Sequence, residues 1–403
     1  MVGNTYSYQL SDWETQIGRA SDAGFDAFSL NVGSDPWQEG QVQRAFEAAE
    51  AASSNFKLFM SFDMNEIPCS SEANANLLQT YLANFTRSPS YMLFRERPLV
   101  STFSGHSCTF GQASPDQGWV FAIKQSSPEP YFVPSFFVDP VRFSDYAVMD
   151  GNFNWNSAWP MGDYDIDFSS DKAWIENLGN RSYMASVSPW FFTHYSSQDS
   201  NKNFIYRMDD WMFAKRWELL IDHYDEVPIV QVVSWNDWGE SHYLGPLLEH
   251  EEQPNSQAWV NGFDHQGWLD LFAYYIQAFK TNRSYTAVTR DRLVLWARLH
   301  PAEADASDPV GPPANREWTQ DILWAIAMLE TPADVTLECG STRNTWSGLP
   351  SGLSNISIPL ISDCSVKASI RRGDNSMVFL PPGFEFSTTN ISTYNFNAFV
   401  AAS

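Results

Sequence analysis

Short apolar runs alternate with amphipathic stretches from about residue 26 to residue 281, and this pattern constrains the chain most. The runs are 26–32 "DAFSLNV", 57–64 "KLFMSFDM", 98–104, 131–138, 146–150, 182–188 and 229–235. Helical spacing fills 11–23, 39–53, 71–86, 114–126, 170–179, 203–224 and 268–281. Strand–helix alternation of this kind means βαβ units and a parallel sheet. Seven strands are legible, and a closed (β/α)8 barrel needs eight. Residues 4–8 read as a loop, so the missing strand is the first. The expectation is an α/β TIM-like barrel over residues 1–284, its first strand cut off before Met1, with a sheet that is not a closed barrel as the alternative.

Near residue 285 the texture changes. "RLVLWARL", "ILWAIAML", "DVTLEC", "SIPLI", "SVKASIRR", "SMVFLPP" and "STYNFNAFV" are strand-like and separated by Gly, Pro, Asn and Ser turns. No helix-length period lies between them. This predicts a C-terminal antiparallel β-sandwich over 285–403, with the Pro/Ala/Asp-rich stretch 301–316 as a loop inside it.

Four Cys fall as Cys69/Cys108 and Cys339/Cys364 if neighbours join, which gives two local disulfides. Five Asn-x-Ser/Thr sequons sit at Asn84, Asn180, Asn282, Asn355 and Asn390. Together they predict a secreted, glycosylated protein of the extracellular space or cell wall, although "MVGNTYSY" at the start is no signal peptide. A formal charge of −24 argues against nucleic acid and anionic membrane surfaces as partners. No stretch is long and apolar enough to span a bilayer. The seven His make no H-E-x-x-H or Cys/His ligand spacing, so neither a metal nor another cofactor is expected.

In a parallel barrel the active site is built by the loops after the strand C-termini, so acids there are the suspects. Three strand ends carry them: "SFDMNE" with Asp63, "MDGNFNWN" with Asp150, and "WNDWGESHY" with Asp237, Glu240 and His242. Around these stand amides (Asn152, Asn154, Asn236) and aromatics (Trp155, Trp190, Trp235, Trp238, Tyr243). A sugar needs this combination. Paired carboxyls move the proton, amides meet the hydroxyls, and aromatic faces meet the C–H surface. The plainer reading of "DWGE" is a capping box, with Asp237 capping a helix and Glu240 returning the hydrogen bond. Asp63 and Asp150 also fit as helix caps after βα turns. The run "LEHEEQP", 248–254, reads as a solvated loop.

At these residues the chain resembles glycoside hydrolase family 71, the fungal α-1,3-glucanases or mutanases. "MVGNTYSY", "LFMSFDMN", "MDGNFNWNSAW", "QVVSWNDWGESHYLGP" and "NGFDHQGWLDL" carry the resemblance in order along the chain. It implies a secreted, metal-free, inverting hydrolase of α-1,3-glucan, built as a barrel with a C-terminal β-sandwich. It also implies Asp237, Glu240 and Asp63 as the catalytic acids. The expected roles are Glu240 as general acid and Asp237 as general base, with the roles open to exchange and Asp63 open to replace Asp237. The alternative from another class is a non-catalytic glucan-binding or wall protein on the same fold. A retaining glycosidase acting on a β-linked polymer is a third reading. The protein is expected to be a monomer.

Overall fold

The computed structural model describes residues 1–52, 54–207, 209–248 and 255–403. Most of the acidic run, residues 249–254, therefore lies outside the described residues. The first half alternates as the sequence suggests: α1 (Leu10–Asp22), β1 (Ala27–Val32), α2 (Gln38–Ala51), β2 (Lys57–Asp63), α3 (Glu72–Phe85), β3 (Leu93–Phe94) and β4 (Arg97–Phe103). It continues with α4 (Pro115–Trp119), β5 (Tyr131–Phe132), β6 (Gly151–Asn154), α5 (Ser169–Leu178) and β7 (Ser182–Val187). A hairpin of β8 (Phe192–His194) and β9 (Asn203–Ile205) then precedes α6 (Met212–Asp222), β10 (Ile229–Val232), α7 (Gln257–Val260) and α8 (Leu269–Lys280).

Local chemistry sets several of these boundaries. At the start of α3 the Ser71 N–H donates to Asn74 Oδ1 at 2.9 Å, and at α4 Ser114 Oγ accepts from Gln117 N with Pro115 beginning the helix. Such caps satisfy donors that the first helical turn leaves unpaired. A fully buried ion pair, Arg216 with Asp171, ties α6 to α5, and the Tyr183 hydroxyl of β7 donates to the same carboxylate at 2.5 Å.

Strands β1, β2, β4 and β5 are parallel neighbours, and so are β6, β7 and β10. Backbone bonds from Asp150 N to Phe132 O and from Phe153 N to Pro134 O join the two groups. The expected closed barrel is not formed. Among the described residues no ladder pairs β1 with β10, and a cavity of about 610 Å3 runs along both strands, lined by Phe28, Leu30, Val230 and Val232. Closure needs hydrogen-bonded neighbours all round, and the seven strands leave these two edges without one.

Two strand expectations shift. Residues 146–150 are not a strand; the extended segment is 151–154, so Asp150 precedes β6 rather than ending a strand. Residues 203–205 are strand β9, where a helix was expected to begin.

After α8 the chain is antiparallel sheet: β11 (Arg292–Ala297), β12 (Ile322–Leu329), β13 (Ala333–Cys339), β14 (Thr342–Leu349), β15 (Gly352–Pro359), β16 (Cys364–Arg372), β17 (Asn375–Phe379), β18 (Glu385–Phe386) and β19 (Phe399–Ala402). One sheet has the order β15-β12-β11-β19, and the other β14-β13-β16-β17 with β18 on β16. Period-2 alternation splits the first sheet between two cores. Leu293, Leu295, Leu323 and Ala325 join Val335, Leu337, Val366 and Ile370 of the second sheet in one buried cluster. Val294, Trp296, Trp324 and Ile326 point the other way, into the cluster that also holds the parallel strands and their helices. Both disulfides form, Cys69–Cys108 and Cys339–Cys364.

Candidate active site

After β10 the chain makes a tight loop, and one serine organises it. Ser234 Oγ accepts from Asp237 N at 2.9 Å and lies 2.9 Å from His242 Nδ1, while Ser234 N donates to His242 O. No helix follows Asp237; residues 238–241 are turn, so the capping-box reading is not realised. A Cβ on Gly239 would lie 2.1 Å from the Tyr195 hydroxyl, so any larger residue there must displace that ring. The turn draws the acids together. One carboxylate oxygen each of Asp237 and Glu240 and one ring nitrogen of His242 all lie within 4.8 Å of one another. Three such donors also meet the first requirement of a cation site.

Two partners serve Glu240. His242 Nε2 donates to its Oε2 at 3.0 Å, and Lys202 Nζ stands 3.3 Å from Oε1. His242 Nε2 is 3.9 Å from Asp237 Oδ2. The carboxyls therefore diverge. Burial pushes the Asp237 carboxyl up, and the Glu240 charge adds to the rise. Burial acts on Glu240 the same way, but the His242 hydrogen bond and the charges of His242 and Lys202 outweigh it and hold Glu240 below its ordinary value. Asp237 is thus pushed toward holding its proton longer, and Glu240 toward giving it up sooner. Both remain partly open, with 16% and 26% of their side chains exposed.

Asp63 ends β2, and its carboxylate accepts from Asn65 N at 3.0 Å. Burial raises it, and the Lys202 charge that acts on Asp237 and Glu240 reaches it too. Trp155 follows β6, packs edge-on against Phe103 with centroids 4.8 Å apart, and lines the same cavity as Asp237.

The profile of glycosyl hydrolase family 71 matches residues 1–403. The chain belongs to glycosyl hydrolase family 71. This family 71 chain is 36% identical to the glucan endo-1,3-alpha-glucosidase agn1 of Schizosaccharomyces pombe over 99% of its length and 92% of the relative's. It is 29% identical to a mutanase of Penicillium rubens, over 100% of its length and 87% of that protein's. Among solved structures it resembles the GH99 endo-alpha-mannosidase of Bacteroides thetaiotaomicron with a TM-score of 0.53 at 13% identity. That likeness covers 68% of this chain and 81% of the other, and is one of fold.

Several expected site residues of the family 71 chain lie elsewhere. Asp150 sits before β6 and binds Arg97 at 2.8 Å, Lys124 at 2.5 Å and Phe132 N. Burial works against its charge, and the two cations overcome it to hold the carboxyl low. This is a structural anchor at the end of the strands away from the acids. Asn152 accepts from Trp174 Nε1, and Asn154 donates to Ser170, so both amides face α5. Trp190 is buried and donates to Phe396 O, and Trp235 donates to Gln16 Oε1. Trp238 is buried against Tyr243, whose hydroxyl binds Phe263 O and whose ring stacks on His265. The buried rings of Trp190, Trp238 and Tyr243 offer no free face to a sugar, whereas Trp235 is half-buried and lines the cavity with Asp237. Asn236 takes Met1 and Asn4 as partners.

The structure adds residues that the sequence did not single out. Lys202 and Tyr195 belong to the β8–β9 hairpin, which docks on the loop through Phe192 N to Glu240 O. Trp159 stacks on Tyr206 at 5.0 Å and backs His242. Lys202 lies just before the stretch 203–224 that reads as helix, and no motif pointed to it. All five sequon asparagines are exposed.

Proposed function

We propose that this protein hydrolyses α-1,3-glucan. The observation that supports the reading most is the Asp237–Glu240–His242 cluster at the open end of β10, with the two carboxyls pushed in opposite directions. Such a split is how one site holds an acid and a base together. The relatives named as α-1,3-glucanases across nearly the whole chain supply the substrate. Asp237 holds the proton for the leaving oxygen, which reverses the roles expected from the sequence.

The Glu240 charge beside Asp237 adds to its upward shift. Inversion across a water needs carboxyls roughly 6.5–9.5 Å apart, more than the Asp237–Glu240 contact allows. Asp63, at the end of β2 on the same side of the strands, is the acid we assign as the base of an inverting reaction. The C-terminal sheets, residues 285–403, form a β-sandwich domain in this reading, and the exposed sequons and paired cysteines support a secreted glycoprotein.

The test follows anomeric protons by NMR while the protein acts on α-1,3-gluco-oligosaccharides. First release of the β-anomer supports inversion; the α-anomer would place Glu240 as nucleophile and remove Asp63 from the mechanism. Retention on insoluble glucan with no cleavage would favour the binding protein instead.

A further inference from the structure

We propose that Tyr6 and Trp37 form a sugar-binding subsite beside the acids, a role that deepens the α-1,3-glucan reading and rests on it. Tyr6 is 74% exposed, and its ring meets Trp37 edge-on with centroids 5.1 Å apart and planes at 86°. Trp37 itself is half-buried. An exposed aromatic pair costs hydrophobic stability, and contiguous exposed apolar surface of this kind marks a binding site more often than chance.

The pair is held in place before any ligand arrives. Gln41 Nε2 donates to both Tyr6 O and Tyr8 O, and Gln41 Oε1 is itself fixed by Trp13 Nε1. Gln38 Oε1 takes the Gly33 N–H at 2.8 Å, which fixes the loop leading to Trp37. Little ordering is left to be done on binding.

The position suits a glucan. Asn4 Nδ2 donates to Asn236 O, one residue before Asp237, and Tyr6 lies only two residues further on, about 7 Å of chain at most. Trp37 stands in the loop after β1, on the same open end of the strands as Asp237 and Asp63. A neutral pyranose offers a C–H face and no charge, which suits an aromatic pair with no cation or anion between its rings. The occupant is therefore one glucose residue of the chain being cut, at a position that the shortest oligosaccharides do not reach.

The experiment measures kcat/KM on α-1,3-gluco-oligosaccharides of increasing length. It adds retention of the Glu240→Gln variant on insoluble α-1,3-glucan, with and without Tyr6→Ala or Trp37→Ala. Each alanine variant is expected to lose about tenfold in kcat/KM on long chains, mostly through KM, and to weaken retention. Tyr6→Phe should recover most of the loss. Tyr285→Ala, an exposed tyrosine stacked on Tyr274 beyond α8, should match the wild type. Unchanged binding and cleavage in Tyr6→Ala and Trp37→Ala would overturn the subsite. So would a loss equal at all chain lengths and tracking a lowered melting temperature. A wild type that neither cleaves nor binds the glucan overturns the hydrolase reading, and the subsite with it.

Discussion

His242 Nε2 donates to Glu240 Oε2 across 3.0 Å and is itself 1% exposed, so a buried ring steadies one of the two site carboxylates. Replacing His242 by Ala removes the strongest influence holding Glu240 below its ordinary value. The expected result is a 10- to 100-fold fall in kcat, on the order of one positioned hydrogen bond to a charged group. The acidic limb of the pH–rate profile should move to higher pH, because Glu240 must lose its proton there. A limb that stays in place would show that Glu240 does not titrate in the reaction.

The acids should separate by substitution. Asp237→Asn and Glu240→Gln should each lower kcat on the order of 100- to 10,000-fold. Asp63→Asn should do the same, and added azide should restore turnover with the β-glycosyl azide as product, the configuration expected when azide takes the place of the attacking water. A variant of Asp63 with full activity would rule it out as the base.

Gly239 lies under the Tyr195 ring with no room for a methyl group. Gly239→Ala should abolish activity while leaving the melting temperature within a few degrees, since the clash is confined to the turn. Tyr195→Ala in the same chain should restore part of the activity by clearing the space. Failure of that rescue would place the constraint in the turn's backbone instead.

The Arg216–Asp171 pair has no exposed surface on either side. Removing one partner leaves the other charge stranded, at a cost of about 3–5 kcal/mol. Asp171→Ala should therefore unfold well before the wild type in denaturant, more so than Asp150→Ala at its half-open network.

Burial beside Arg298 pushes the His300 imidazole down from 6.5 to about 4. The unfolded chain binds a proton below 6.5 that the folded chain refuses until about pH 4, so stability is full above 6.5 and falls as pH drops through that window. The loss reaches about 3 kcal/mol for this one group. The gap between denaturant midpoints at pH 7 and pH 4.5 should narrow in His300→Gln without closing, because His265, also pushed down to about 4, remains; an unchanged gap would assign the acid sensitivity elsewhere.

The sequence revealed much of the frame because period and turn chemistry are local. β1, β2, β4, β7 and most helices lie within a residue or two of their apolar runs, and Asp237, Glu240 and His242 share one loop as their spacing allowed. What it hid was tertiary. Asp150 looked like a strand-end acid because "YAVMD" is apolar, yet Arg97, 53 residues away, claims it. Trp190, Trp238 and Tyr243 looked like platforms, but ring type does not say whether a face is covered by Phe396, His265 or solvent. Lys202 reached Glu240 only because β8 and β9 pair.

The sheet β15-β12-β11-β19 has no solvent-facing side over much of its width. Trp324 meets Trp211 at 4.7 Å, and Trp296 packs on Phe213 and Trp268. The last third of the chain thus packs an aromatic face against the helices of the first part. A chain cut near residue 284 would bare Trp211, Phe213 and Trp268 at once and aggregate, and the intact protein should melt in one step, as a single cooperative unit.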